Sequence, residues 1–193
     1  MKPFKRRRRG GVVGVFEPTE AHLLLNLLGQ VVELLQDRTG PSTSSPDPLF
    51  DQLVPAASHL PPEDPVLKRL LPDGYSDDAE ASGDFRRYTE RGLSSAKVAN
   101  AEAVIESLVR GGMEPDGNDT DAEPVEVELD PAAVQAWLRS LTDLRLALAV
   151  RLGIETEDDV DAVAESDEEQ VVVMSDIYDW LGYVQETLVG ALD

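Results

Sequence analysis

VVGVFEPTEAHLLLNLLGQVVELLQDR, residues 12–38, is answered 113 positions later by VEVELDPAAVQAWLRSLTDLRLALAVR, residues 125–151, and the reading of these two stretches decides the fold. In each, a short β-type run ends in an acidic residue and a proline, and helical periodicity follows. VEVEL alternates strictly, which predicts a strand with Val125, Val127 and Leu129 facing a core. Ala21, Leu24, Leu25, Leu28, Val31, Val32 and Leu35 recur at spacings of three and four, the signature of one buried helix face. Val134, Trp137, Leu138, Leu141, Leu144, Leu148 and Leu152 do the same until Gly153. Pro18 and Pro131 suit first helical turns, because the N–H that proline lacks has no partner there anyway. Glu17 or Glu20 favours the positive end of its helix, and Gly40 with Pro41 stops it.

The two stretches align position by position. Val12, Phe16, Glu17 and Pro18 fall on Val125, Leu129, Asp130 and Pro131. Ala21, Leu24, Leu25, Leu28, Val31 and Leu35 fall on Val134, Trp137, Leu138, Leu141, Leu144 and Leu148. A duplicated strand–proline–helix unit would pair its two strands and pack its two helices side by side. Strand and helix periodicity alone would generate part of the match.

Upstream lies MKPFKRRRRGG, the most basic stretch of the chain. If residues 12–17 pair with 124–130, KPFKRRRR forms the other arm of a hairpin turned at Gly10 and Gly11, and its cations protect an exposed sheet edge from aggregation. The alternative is a flexible basic tail. Lys5, Arg6, Arg7, Arg8 and Arg9 are a candidate basic patch on either reading.

Between the two units, residues 39–48 read as a linker rich in Ser and Pro, PLFDQLV as a short helix or turn, and SHLPPEDPVLKRLLPDGY as one or two helical turns among prolines. Residues 77–90 look helical, and Ser94 or Ser95 is placed to cap a separate helix through about Val109, stopped by Gly111 and Gly112. EPDGNDTDAEP, residues 114–124, has no apolar period and reads as a loose acidic loop. Residues 155–169 are acidic with a weak helical stripe. Met174, Ile177, Tyr178, Leu181, Val184 and Leu188 mark a final amphipathic helix. The expected fold is mainly α: a single-domain helical bundle over 1–193, with a small antiparallel sheet formed by the N-terminal strands and the 124–129 strand.

Composition narrows the function. Seventeen basic against 38 acidic residues give a net charge of −21, and six of the 17 lie within the first nine residues. That field opposes wrapping by nucleic acid or an anionic bilayer and favours basic partners. Cysteine is absent, which removes disulfides, thiolate catalysis and thiol sensing. The amino terminus lacks the apolar core of a signal peptide, and no run approaches a membrane span, so a cytoplasmic location without membrane contact is expected.

No residue constellation specifies a reaction. His22 and His59 stand apart, with no second histidine at helical spacing, so a metal site lacks convergent ligands and the serines lack a paired base. DGNDTDAE departs from a calcium loop where glycine and the bidentate glutamate belong, at Asp121 and Val127. GGVVG matches neither a dinucleotide fingerprint nor a phosphate loop. No catalytic residue, metal or cofactor is expected.

Two surfaces are candidates for binding. FRRYTERGLSSAK sets Arg86, Arg87, Arg91 and Lys97 beside Phe85 and Tyr88, a set able to hold an acidic group; the plainer reading is that the arginines neutralise Asp77, Asp78 and Glu80. On the final helix Tyr178, Trp180, Tyr183 and Val184 occupy more than one face, so some are expected to stay exposed as partner anchors; the plainer reading buries all four.

Taken together, LPDGYSDDAEASGDFRRYTERGLSSAKVANA, WLRSLTDLRLALAVRLGI and IYDWLGYVQETLVGAL resemble the actinobacterial domain-of-unknown-function 2017 family, often encoded beside the ClpS adaptor. The resemblance runs from about Lys5 to Leu192 and brings no catalytic residues with it. Some relatives are labelled oxidative-stress or transcriptional regulators, which implies a regulatory binding protein. The expectation is a non-enzymatic cytoplasmic regulator that acts by protein–protein binding in stress-linked transcription control, with the transcription machinery among the candidate partners and a homodimer as a further option. The rival is a nucleic-acid-binding regulator that uses the basic arm, although specific recognition is not expected of so short a cluster.

Overall fold

The computed structural model describes residues 1–7, 10–39, 60–114 and 123–192. At its centre lies a three-stranded antiparallel sheet in the order β1 (Lys2–Arg6), β2 (Val12–Phe16), β3 (Val125–Leu129). The part of the basic stretch from Lys2 to Arg6 is therefore a strand. β1 and β2 form a hairpin in which Arg6 faces Val12 and Lys5 faces Val13. Arg7 N–H donates to Gly11 O at 3.0 Å and Gly10 N–H to Arg7 O at 3.2 Å. Gly10 and Gly11 have φ of 90° and 81°, conformations that glycine adopts without a Cβ penalty.

Helices follow the strands. They are α1 (Pro18–Thr39), α2 (Pro65–Leu70), α3 (Ala79–Arg110), α4 (Pro131–Leu152), α5 (Glu157–Ala164) and α6 (Glu169–Gly190). Asp130 caps α4 by accepting from Ala133 N–H at 2.8 Å, Pro131 opens its first turn, and Gly153 at φ 73° closes it. Asp64 and Asp78 cap α2 and α3 in the same way.

The repeated unit is present in space. β2 with α1 and β3 with α4 are each a five-residue strand, one acidic residue and a 22-residue helix opened by proline. Val12 pairs with Leu129, the counterpart of Phe16, and Phe16 pairs with Val125, the counterpart of Val12. Gly14 pairs with its own counterpart, Val127, so the register implies a local two-fold axis through that pair. Among the described residues each half continues with a short and then a long helix, and the long helix runs antiparallel to the first: Leu35 and Arg38 of α1 meet Ser94 and Glu90 of α3, while Thr142 and Arg145 of α4 meet Gln185 and Tyr178 of α6. Symmetry ends at the long helices. α3 has 32 residues and also packs along α4, whereas α6 has 22 and packs against β1.

The core fills the space between the sheet's inner face and α1, α3, α4 and α6. Val12, Phe16, Val125, Val127 and Leu129 meet Leu24, Leu28, Leu108, Trp137, Leu141, Leu181 and Leu188 in one cluster. Phe4, Phe16 and Trp137 form an aromatic trio with ring centroids 5.5–5.9 Å apart. Such pairs add ~0.5–1.5 kcal/mol each beyond area burial. Gly14 makes room for it, because a Cβ there would lie 2.7 Å from the Phe4 ring. The Trp137 indole N–H is satisfied by Ser107 Oγ at 2.9 Å.

One element departs from expectation. Residues 77–90 and 94–109 are not two helices but parts of the continuous α3. Its buried stripe begins polar, with Ser82, Arg86, Glu90 and Ser94, and becomes apolar only at Ala101, Val104 and Leu108. The apolar period is therefore missing from the first half. Ser94 caps nothing and donates instead to Leu35 O at 3.3 Å. PLFDQLV, His59, Arg8, Arg9 and most of both expected linkers lie outside the described residues.

Candidate protein-docking surfaces

α6 lies between α4 and β1, and this placement sorts its aromatic residues. Residues three and four apart share a side of a helix, so Tyr178, Gly182 and Gln185 look toward α4. The Arg145 guanidinium lies 5.0 Å from the Tyr178 ring centroid and donates to Gln185 Oε1 at 2.9 Å. Leu181, Val184 and Leu188 enter the core and are fully buried, so Val184 has no surface to offer. Trp180 is half-buried against the core. Tyr183 stands 46% exposed on the outer side. Of the four proposed anchors, Tyr183 alone is exposed, while Tyr178 and Trp180 are half-buried and Val184 is buried.

Around Tyr183 the outer side of α6 carries exposed Val172 and Val173 among Asp176, Asp179 and Glu186. Residues 152–193 hold 13 acidic residues and not one lysine, arginine or histidine. Nothing on α5 or α6 themselves neutralises this charge, and Arg145 of α4 lies on the inner side of α6, so the outer side carries a negative field. Asp159 is held below the ordinary carboxylate range by the Glu155 N–H, the Thr156 hydroxyl and the Thr156 N–H, bonds that close the start of α5.

The sequence-nominated arginines part company. Arg86 turns inward, 5% exposed, onto Asp73 and toward Glu90. Glu90, 1% exposed, also accepts from Arg38 Nε at 2.8 Å, and Arg38 donates to Leu60 O at 2.7 Å. Asp77, Asp78 and Glu80, the acids expected to neutralise this arginine group, are not its ion-pair partners in the described residues; Asp78 caps the helix. Arg87 and Arg91 stay on the surface. At the hairpin, Lys5 and Arg6 are exposed on β1 and Arg7 pairs with Glu128.

A depression of about 550 Å³ opens beside the hairpin turn, lined in part by Arg7, Gly11, Arg110, Glu128 and Asp130. Arg7 and Arg110 are already paired with Glu128 and Glu106, and Asp130 already caps α4. This depression therefore gives a ligand no uncompensated charge. Among the described residues no group of three metal-binding side chains converges, and no helix is long and apolar enough to cross a membrane.

Two polar features had no sequence signal. His22 bridges Pro18 O at 2.8 Å and Glu114 O at 3.1 Å, tying α1 to the end of α3. Between α3 and α4, Lys97 Nζ meets Asp143 Oδ1 at 2.6 Å. Burial pushes the Asp143 carboxyl up, and the Lys97 bond only partly opposes it. Both pairings join residues far apart in the chain.

Residues 1–192 match the family model described as Domain of unknown function (DUF2017). The chain belongs to this family. A Mycobacterium leprae protein provisionally named oxidative stress regulator AosR is 33% identical over 196 residues, which cover 92% of this chain and 81% of that protein. Proteins named oxidative stress regulator AosR in Mycobacterium bovis and Mycobacterium tuberculosis are 29% identical over 185 residues, covering 91% of this chain and 79% of each. No solved structure matches. The relatives' names point to a stress-linked regulatory role for the family.

Proposed function

We propose that this protein is a non-enzymatic cytoplasmic regulator in stress-linked transcription control, and that it acts by binding a basic protein surface on the outer side of α6. The observation that carries the reading is the exposure of Val172, Val173 and Tyr183 amid Asp176, Asp179 and Glu186, on a segment, residues 152–193, that contains no lysine, arginine or histidine. Apolar and aromatic side chains supply affinity when a partner removes them from water. The negative field speeds encounter with a positive partner. The relatives' names support the regulatory part, and the transcription machinery is the natural place to look for the partner. A cysteine-free chain can take no part in thiol sensing, so any stress signal reaches it through the partner or by another chemistry.

The basic hairpin supports a nucleic-acid role less well. Lys2–Arg6 is a strand committed to the sheet, and Arg7 is already paired with a carboxylate.

The test is a photo-crosslinking residue placed at Tyr183 in native cells, with the same residue at exposed Gln135 of α4 as control. Adducts at 183 with a basic protein, competed by salt and absent at 135, support the reading. Adducts of equal yield at both positions, or none at 183, overturn it.

A further inference from the structure

We propose that the first part of α3 is a second docking surface and that it takes a short acidic segment of a partner protein. This inference is independent of the α6 surface, because it concerns the opposite sign of charge on a different element.

The geometry begins with the length of α3. Arg38, in the last turn of α1, meets Glu90, and the two helices are antiparallel. Residues 79–89 of α3 therefore run on past the end of α1. They are held to the 72–75 turn: Ser82 Oγ donates to Tyr75 O at 2.5 Å, Tyr75 N–H donates back to Ser82 Oγ at 3.2 Å, and Arg86 pairs with Asp73. The Tyr75 and Phe85 rings meet edge-on at 6.3 Å. These ties and the Arg38–Glu90 pair fix the inner side, so the outer side is presented in one orientation.

What it presents is unusual for this chain. Of the ten aromatic residues in the sequence, Phe4, Phe16 and Trp137 are buried, yet Tyr75, Phe85 and Tyr88 are 54%, 38% and 77% exposed, with Tyr75 against Phe85, and Tyr88 three residues beyond Phe85 along the same helix. Exposed aromatic side chains grouped in this way mark contact surfaces more often than chance. Arg87 and Arg91 stand one turn apart beside them, and neither takes part in an ion pair among the described residues, although acids outnumber bases 38 to 17 in the chain. The Arg87 guanidinium rests 5.6 Å from the Tyr88 ring centroid. Gly92 follows, where an added Cβ would meet nothing, and then Ser95, Ala96 and Ala99, small residues that let a partner backbone come close.

The chemistry selects the occupant. Two guanidinium groups one helical turn apart match two carboxylates at similar separation on a peptide, each held by paired N–H···O bonds. An apolar or aromatic side chain of the same peptide packs on Tyr88 and Phe85. A nucleic acid fits less well: the net charge of −21 repels a long polyanion, and Asp84 and Glu80 border the positive ground on its amino side. A short segment with a few carboxylates meets little of that repulsion.

The experiment measures binding of a labelled peptide that alternates acidic and aromatic residues, in parallel with its lysine-substituted counterpart and a single-stranded oligonucleotide of equal charge, to the full chain. The acidic peptide is expected to bind and the lysine peptide not. Arg87→Ser with Arg91→Ser should weaken binding by about tenfold or more, as loss of charge-assisted pairs does, and Tyr88→Ala should weaken it separately, with melting unchanged because these side chains are exposed. Arg139→Ser, on the surface of α4, should leave binding as it was. Failure of the acidic peptide to bind, indifference to the Arg87 and Arg91 changes, or tighter binding of the oligonucleotide with the same dependence on them would each overturn the proposal. So would variants whose main effect is loss of self-association, since the occupant would then be a second copy of the chain.

Discussion

Replacing Glu90 with alanine tests whether a buried charge organises the middle of α3. At 2.8 Å from Arg38 Nε and 3.6 Å from Arg86 Nε, the carboxylate gains gross attractions of about 6 and about 5 kcal/mol at an effective dielectric constant near 20. Desolvation of the three ions offsets most of that, several kcal/mol for each. The cost of Glu90→Ala is therefore not the gross attraction but the penalty of leaving two guanidinium groups without their acid. Breaking a buried pair costs ~3–5 kcal/mol. Arg38, whose side chain is 15% exposed, can turn toward water, and Arg86 keeps Asp73, which places the expectation at the lower end, about 3 kcal/mol. For a chain of this length ~2–4 °C of melting temperature accompany each kcal/mol, so calorimetry should show a drop of about 6–12 °C. The double variant Arg38→Met with Glu90→Met removes the uncompensated charge between these two positions and should recover much of the loss. A shift under about 2 °C for Glu90→Ala, or a double variant no better than the single, would refute the reasoning.

Gly14→Ala should cost ~1–3 kcal/mol by overpacking, since the new methyl meets the Phe4 ring at 2.7 Å; combining it with Phe4→Leu should return part of that in urea melts, and equal losses for the single and double variants would place the clash elsewhere. Asp64 is pushed up by burial, but the Val66 and Leu67 N–H bonds and Arg151 together take it below its ordinary value of 3.8. A depressed carboxyl binds fewer protons folded than unfolded, so its contribution is present above 3.8 and is lost as the pH falls through the folded value. Asp64→Ala should therefore cost about 1 kcal/mol at neutral pH, as loss of a helix cap does, and the gap from the unaltered protein should narrow in acid; a gap independent of pH would remove the electrostatic part of this account.

β2, β3, their pairing and the two helices that follow them were legible in the sequence itself. VVGVF and VEVEL lie next to an acidic residue and a proline, and period-two and period-3.6 patterns of apolar residues are local properties that survive in one dimension. For the basic arm the sequence left a hairpin turned at Gly10 and Gly11 and a flexible tail both open, and the pairing of Lys2–Arg6 with β2 decided between them. Tertiary structure alone decided the rest. The unity of α3 was hidden because its first half buries Ser82, Arg86, Glu90 and Ser94, residues whose burial depends on Arg38, Asp73 and Leu35 arriving from elsewhere. The same holds for the two surfaces. The residue types at Tyr183, Val184, Arg86 and Arg87 were plain in the sequence, but which of them face solvent depends on which neighbours cover each side of the helix. A helix with apolar residues on several sides has several ways to dock, and only the packing of α6 between α4 and β1, and of α3 beside α1, selects one. Periodicity reports which residues share a face; it carries no information about what that face will meet, because that contact joins residues distant in sequence.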